Sequence, residues 1–302
     1  MIKPKQTING KTNLQILRIG DAYKRQKSGI FLKEWTNIYF SPRPQPPESD
    51  YVYHDIRKGI PFDDNTFDAL YALRIIEHLT LREGKIFVTE VYRVLKPGGI
   101  CRLTAPDLED VVRQYLKQLE LCSQDRTKGN IVRYHWSLLE LYDQIVREQS
   151  GGQMIDAIKQ GFYDYPYCQE RFEDVFEEFI PQKTGGIPEH ENRKKYFDRL
   201  KRLTLKKVIK KISRIIKNEI YWRRSRKFSK ELGGDPRKTL EANKWMYDRL
   251  SMRLLLEGAG FKEGVVKNFK ESDIPDWERY QFDQSNFGNH PIEPSLYFEA
   301  RK

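Results

Sequence analysis

Between Tyr53 and Leu108 the spacing of apolar residues changes period twice, and few folds accommodate such a change. A short segment ends on His54-Asp55, and a turn rich in Asp and Asn follows from Pro61 to Asp68. The apolar run Phe67 to Leu73 comes next, and then Ile86, Phe87, Val91, Tyr92, Val94 and Leu95 recur at helical spacing. Lys96-Pro97-Gly98-Gly99 stops that helix, and a second apolar run extends from Ile100 to Ala105. Strand, helix, Pro-Gly break and strand describe a right-handed βαβ unit of a parallel sheet. Ligands of such sheets bind at the carboxyl ends of the strands. Asp55, the Leu73-Arg74 pair and Pro106-Asp107 are therefore expected on one rim.

The rest of the chain supports a doubly wound, mostly parallel α/β sheet with a helical insertion. Leu14 to Ile19 reads as a first strand closed by Gly20, Trp35 to Phe40 as a second and Tyr51 to Asp55 as a third. Four prolines between Pro42 and Pro47 force a stiff exposed loop. Asp63, Asp64 and Asn65 are turn formers. Asp107 either caps a helix over Glu109 to Leu121 or faces a substrate, since aspartate is a preferred cap. Residues 125–182 mix helical periods with many aromatic side chains and glycine breaks at Gly151-Gly152 and Gly185-Gly186. They are read as a helical lid, with His135, Asp143 and Arg147 as its notable polar members. Trp245 to Glu257 is predicted helical, and Lys262 to Phe269 and Ser295 to Ala300 are predicted strands. The expected division is a core over 1–124 with the first five strands, an insertion over 125–230, and a segment over 231–302 that completes the sheet.

Charge is the second strong signal. The chain carries +11, yet residues 193–230 hold seventeen Lys or Arg against two acids, a net +15, so everything else together carries −4. Leu200, Leu203, Val208, Ile212, Ile215 and Ile216 recur there at near-helical spacing, with Tyr221-Trp222 following. A basic amphipathic helix points to an anionic membrane surface or to a plain surface helix. Nucleic acid is not expected, because no DNA- or RNA-binding motif accompanies the charge. No run reaches the roughly 20 apolar residues of a membrane span, and the first residues lack a secretory apolar core. Cys101, Cys122 and Cys168 show no paired spacing, which fits a reducing, cytoplasmic setting. The five histidines lack ligand spacing, so no metal is expected.

The stretch DIRKGIPFDDNTFDALYALRIIEHL, followed by YRVLKPGG, resembles the core of class I S-adenosylmethionine-dependent methyltransferases. It is most similar to the bacterial branch associated with surface-glycan and lipopolysaccharide biosynthesis. WMYD, LLLEGAGFKEGVV, SLYFEA and LYDQIVREQSGGQM resemble that branch too. The resemblance implies a Rossmann-like fold with a seven-stranded sheet closed by an antiparallel pair. It also implies S-adenosylmethionine as cofactor, held by Gly20, Asp21, Tyr39, Asp55, Ile56 and Leu73. The glycine-rich motif is degenerate, with Gly20 alone at the first turn. Tyr39 stands where the family has a ribose-binding acid. Asp55 corresponds to the acid that accepts the adenine amino group, with the Ile56 backbone beside it, or it is a turn-capping aspartate.

Arg74 stands where the branch often has a histidine facing the methyl group. A guanidinium cannot serve as a base. It would hold a substrate carboxylate or phosphate, or the cofactor's carboxylate, or pair with Glu77 or Glu83. Arg74, Asp107 and His135 are the expected catalytic residues. The implied activity is cytoplasmic methyl transfer to an oxygen of a glycan or lipid-linked sugar in polysaccharide biosynthesis, with peripheral membrane contact through 193–230. The alternative is a methyltransferase-like binding or scaffold protein without catalysis, which Tyr39, Arg74 and the lone Gly20 favour. A third, a basic nucleic-acid-binding protein, would show steep salt dependence.

Overall fold

Seven strands build one sheet: β1 (Ile16–Ile19), β2 (Thr36–Tyr39), β3 (Tyr51–Tyr53), β4 (Phe67–Leu73), β5 (Leu95–Pro106), β6 (Lys262–Lys267) and β7 (Ser295–Arg301). The computed structural model describes residues 14–20, 35–39, 51–146, 152–179, 242–280, 282–284 and 294–302. The strand order is β3-β2-β1-β4-β5-β7-β6. The first five strands are parallel, and β7 inserts antiparallel between β5 and β6. The sheet is therefore mixed. The order reverses between β1 and β4, and sheets of this kind hold their ligands in the crevice at the carboxyl ends of the strands at such a switch point.

Alternation along the strands assigns the two faces. Leu17, Ile19, Leu70, Ala72, Cys101 and Leu103 point to one core; Ile16, Ala69, Tyr71 and Ile100 point to the other. The first face is covered by α1 (Leu81–Val94), through Phe87, Val88, Val91 and Val94. Thr80 and Glu83 close a capping box at its start. The helix passes into β5 without a separate turn. Lys96-Pro97-Gly98-Gly99 thus lies inside β5 rather than before it. Gly98 has φ +77, and Lys96 Nζ takes both Asp68 oxygens at 2.9 Å.

Glu90 of α1 accepts Ile60 N at 2.9 Å and two bonds from Arg93. The Arg93 bonds, with the Ile60 amide, hold its carboxyl below the usual range against partial desolvation. A depressed folded pKa contributes stability above the ordinary carboxylate range and loses it as pH falls through the folded value. The stability gap between wild type and Glu90→Gln, read from urea midpoints, should therefore shrink on acidification. A gap constant with pH would remove Glu90 from the acid response.

The second face carries charge that local sequence does not announce. Arg18, Arg102 and Glu299 are buried in mid-strand. Asn268 to Asp283 folds across them, with Trp277, Tyr280 and Phe282 completing the core beside Trp35 and Tyr71. Asp283 accepts Tyr71 Oη at 2.6 Å and Arg102 Nη2 at 2.7 Å, while Arg102 Nη1 lies 2.6 Å from Glu299 Oε1.

After β5 come α2 (Leu108–Gln124), α3 (Lys128–Val146), α4 (Gly152–Lys159) and α5 (Tyr165–Phe179). Trp136, Ala157, Cys168 and Phe172 form their own small core. Asp143 accepts Gln153 N and Met154 N and so caps α4 across the glycine break. The basic segment 193–230, with Arg147 and Gly185-Gly186, lies outside the described residues. The helix expected over Trp245 to Glu257 starts later, as α6 (Arg249–Gly258), capped by Asp248 and Ser251. A last short helix, α7, spans Trp277–Tyr280. No helix among the described residues is long and apolar enough to cross a membrane.

Candidate functional site

The crevice at the switch point begins with Gly20. It closes β1 at φ +151, and a Cβ there would stand 2.9 Å from the Leu73 carbonyl oxygen at the end of β4. Only glycine lets the two strand ends approach this closely. Leu73 is half-buried and packs toward the second core. Tyr39 is buried at the end of β2, and His54 N donates to its carbonyl. Asp21 lies outside the described residues.

Asp55 caps the short turn Ile56–Lys58 through Arg57 N, and its two oxygens receive Arg57 Nε at 2.8 Å and Nη2 at 2.9 Å. These bonds hold its carboxyl below the usual range. The turn-capping arrangement is thus present, and an adenine amino group would share oxygens already engaged. Ile56 is fully buried beside it.

Arg74 follows β4 with φ +51, a backbone region unfavourable for a long side chain. Its amide donates to Thr104 Oγ1 at 3.0 Å, Nη1 to Ser295 Oγ at 3.2 Å, and Nε lies 2.9 Å from Oε1 of the buried Glu77. Of the two acids expected near Arg74, Glu77 is the one it meets.

Across the same rim runs a strap. Lys244 N and Trp245 N donate to the Glu77 carbonyl, Tyr247 bridges Asp107, and Leu108 N donates to Tyr247 O. This extended pairing is why Trp245 to Tyr247 is not helical. Burial and the Glu77 charge push the Tyr247 phenol up to about 12. A Cβ on Gly84 would stand 2.7 Å from that hydroxyl, so α1 needs glycine where the strap crosses.

Asp107 is buried at the end of β5. Its Oδ1 caps α2 through Glu109 N and Asp110 N, and its Oδ2 lies 3.0 Å from Arg249 Nη2. Burial raises its carboxyl above the ordinary range, although the cap and Arg249 work the other way. Arg171 then joins Asp110 to Glu140 of α3. This pairing sets the α2–α3 register and brings the later half of α3 back toward the rim. His135, the third residue of the expected catalytic set, lies on α3. It is exposed there, with Tyr134 at 5.4 Å and Phe162 at 5.8 Å as ring neighbours. In this hairpin Tyr134 meets Tyr115, two turns into α2 from Asp107. Sequence reasoning named Glu77 only as an ion-pair partner of Arg74, and it missed the roles of Tyr247 and Arg249 at the rim.

Residues 37–103 match the family model described as "Methyltransferase domain". A sterol 24-C-methyltransferase ERG6B from Gibberella zeae is 48% identical over 50 residues, which is 17% of this chain and 12% of that protein. The sterol 24-C-methyltransferase erg6 of Schizosaccharomyces pombe is 49% identical over 41 residues, 14% of this chain and 10% of that protein. The chain thus spans about a tenth of the length of these curated relatives. A SAM-dependent methyltransferase structure from Archaeoglobus fulgidus superposes with TM-score 0.37 at 10% identity, covering 96% of this chain and 86% of that one. The matched domain implies S-adenosylmethionine as the cofactor.

Proposed function

We propose that this chain, whose residues 37–103 carry a class I S-adenosylmethionine-dependent methyltransferase domain, transfers a methyl group to an oxygen of a glycan or lipid-linked sugar. The observation that carries the reading is Gly20 pressed against Leu73 at the switch point, where a cofactor's backbone cradle is needed. Bound there, S-adenosylmethionine would supply an electrophilic methyl group. Gly20, Ile56 and Leu73 supply walls for it, and Asp55 supplies an acceptor shared with Arg57.

On the acceptor side, the Arg74–Glu77 and Arg249–Asp107 pairs set donors beside acceptors. A sugar hydroxyl both donates and accepts, so such pairs suit it better than a lone charge does. Asp107 Oδ2 takes the acceptor proton, and Arg74 orients the acceptor. The engagement of Asp55 by Arg57 and of Arg74 by Glu77 also fits the second reading, a methyltransferase-like binder without turnover.

Calorimetric titration with S-adenosylhomocysteine tests the cofactor half. Wild type should bind in the micromolar range. Gly20→Ala should lose roughly tenfold or more, because its Cβ meets the Leu73 carbonyl at a strained φ. No binding by wild type at millimolar ligand would sink the enzyme reading and leave the binder or scaffold reading in its place.

A further inference from the structure

On the first sheet face α1 and α6 touch, and their inward residues share one core. Their outward faces expose far more apolar surface than solvent favours. Leu250 is 64% exposed and Leu254 58%, one turn apart on α6, and Leu81, Ile86 and Trp245 also stand out. The neighbouring pair Leu250 and Leu254 marks a contact surface, unlike large apolar side chains scattered singly.

The charges around them are mainly positive. Arg82, Lys85, Lys244, Arg249 and Arg253 lie along the same segments, against Glu83, Asp248 and Glu257, with Lys244 Nζ 3.7 Å from Glu83 Oε2. Glu83 is turned back onto Thr80 N and Oγ1 in the capping box. Apolar side chains interleaved with cations match a surface of anionic headgroups over hydrocarbon. Trp245 lies at the rim end of the face, and an indole favours the boundary between water and hydrocarbon. A second copy seated on the same face would bring like charges together across a twofold axis.

We propose that the outward face of α1 and α6, with Trp245, docks on an anionic lipid bilayer. This face is distinct from residues 193–230. Both helices begin at the carboxyl rim, α1 after the Ile76–His78 turn and α6 beside Asp107. Docking therefore sets the rim against the headgroup layer, where a lipid-linked sugar is held. That consequence rests on the acceptor reading, but the docking itself does not.

The test is sedimentation of the full chain with vesicles of phosphatidylcholine, or of phosphatidylcholine mixed with phosphatidylglycerol. Wild type should bind the mixed vesicles and not the neutral ones. The double variant Leu250→Glu/Leu254→Glu should lose roughly tenfold or more in partitioning. Its thermal melt should stay unchanged, since both positions are exposed. Brominated acyl chains should quench tryptophan fluorescence in wild type, and Trp245→Phe should remove that quenching. Absence of wild-type binding to mixed vesicles would overturn the proposal. Undiminished binding by the double variant would do so too, and would move the contact elsewhere, with 193–230 first in line. A dimer abolished by the double variant, without lipid binding, would assign the face to a second copy instead. The lipid-free S-adenosylhomocysteine titration reports separately on the methyltransferase reading.

Discussion

Replacing Arg102 by alanine is expected to destabilise the fold by about 3–5 kcal/mol, the range for breaking a buried ion pair from one side. The guanidinium is fully buried and bonds Asp283, Glu299 and the carbonyls of Asn268 and Glu271. It is also 4.5 Å from the Trp277 ring centroid. Truncation would leave Asp283 and Glu299 without the guanidinium that joins them, in a water-excluded layer where Arg18 is the other buried cation among the described residues. Urea unfolding followed by far-UV dichroism should show the midpoint fall steeply. Adding Asp283→Asn to the alanine variant should restore part of the loss, because it removes one uncompensated charge. A loss below about 1 kcal/mol would mean that water reaches the network and that the segment 268–284 is not pinned by it.

The second large effect concerns activity. Asp107→Asn is expected to lower methyl transfer by about 10²–10⁴-fold, the usual contribution of a positioned general base, while leaving stability nearly intact. Asparagine caps a helix as well as aspartate does, so α2 keeps its start, and Arg249 keeps Glu109. The cap is thereby separated from the proposed catalytic role, which Asp107→Ala would not achieve. Burial holds the Asp107 carboxyl above its ordinary range. The wild-type rate should therefore rise with pH through a value above the usual aspartate pKa, and that acid limb should vanish in the variant. Incorporation of labelled methyl groups from S-adenosylmethionine into the proposed glycan acceptor gives the readout. An asparagine variant with full rate and an unchanged limb would show that the carboxylate is only a cap.

Much of the rim was readable in advance because its determinants are local. An apolar run, then a helical period, then a second apolar run marks β4, α1 and β5. A glycine after an apolar run marks the end of β1, and an aspartate before a helical run marks the cap of α2. Asp55 carried both an adenine-binding and a capping reading, since a carboxylate before a turn serves either, and only the position of Arg57 shows the cap to be made. His135 was placed by its polarity within an aromatic stretch. Its place in the α2–α3 hairpin depends on Arg171, which ties Asp110 to Glu140 from another helix.

The chain's own pattern determined the parallel core, the position of the switch-point glycine and the rim that carries Arg74 and Asp107, because each depends on neighbours a few residues away. Tertiary structure alone decided three things. Arg102 in a strand finds its carboxylate 181 residues later, Arg249 reaches Asp107 across 142 residues, and Trp245 to Tyr247 leaves a helical pattern to pair beside β5. Each is a polar or backbone group whose burial is tolerable only once a distant partner arrives, and periodicity carries no signal for a partner that far along the chain.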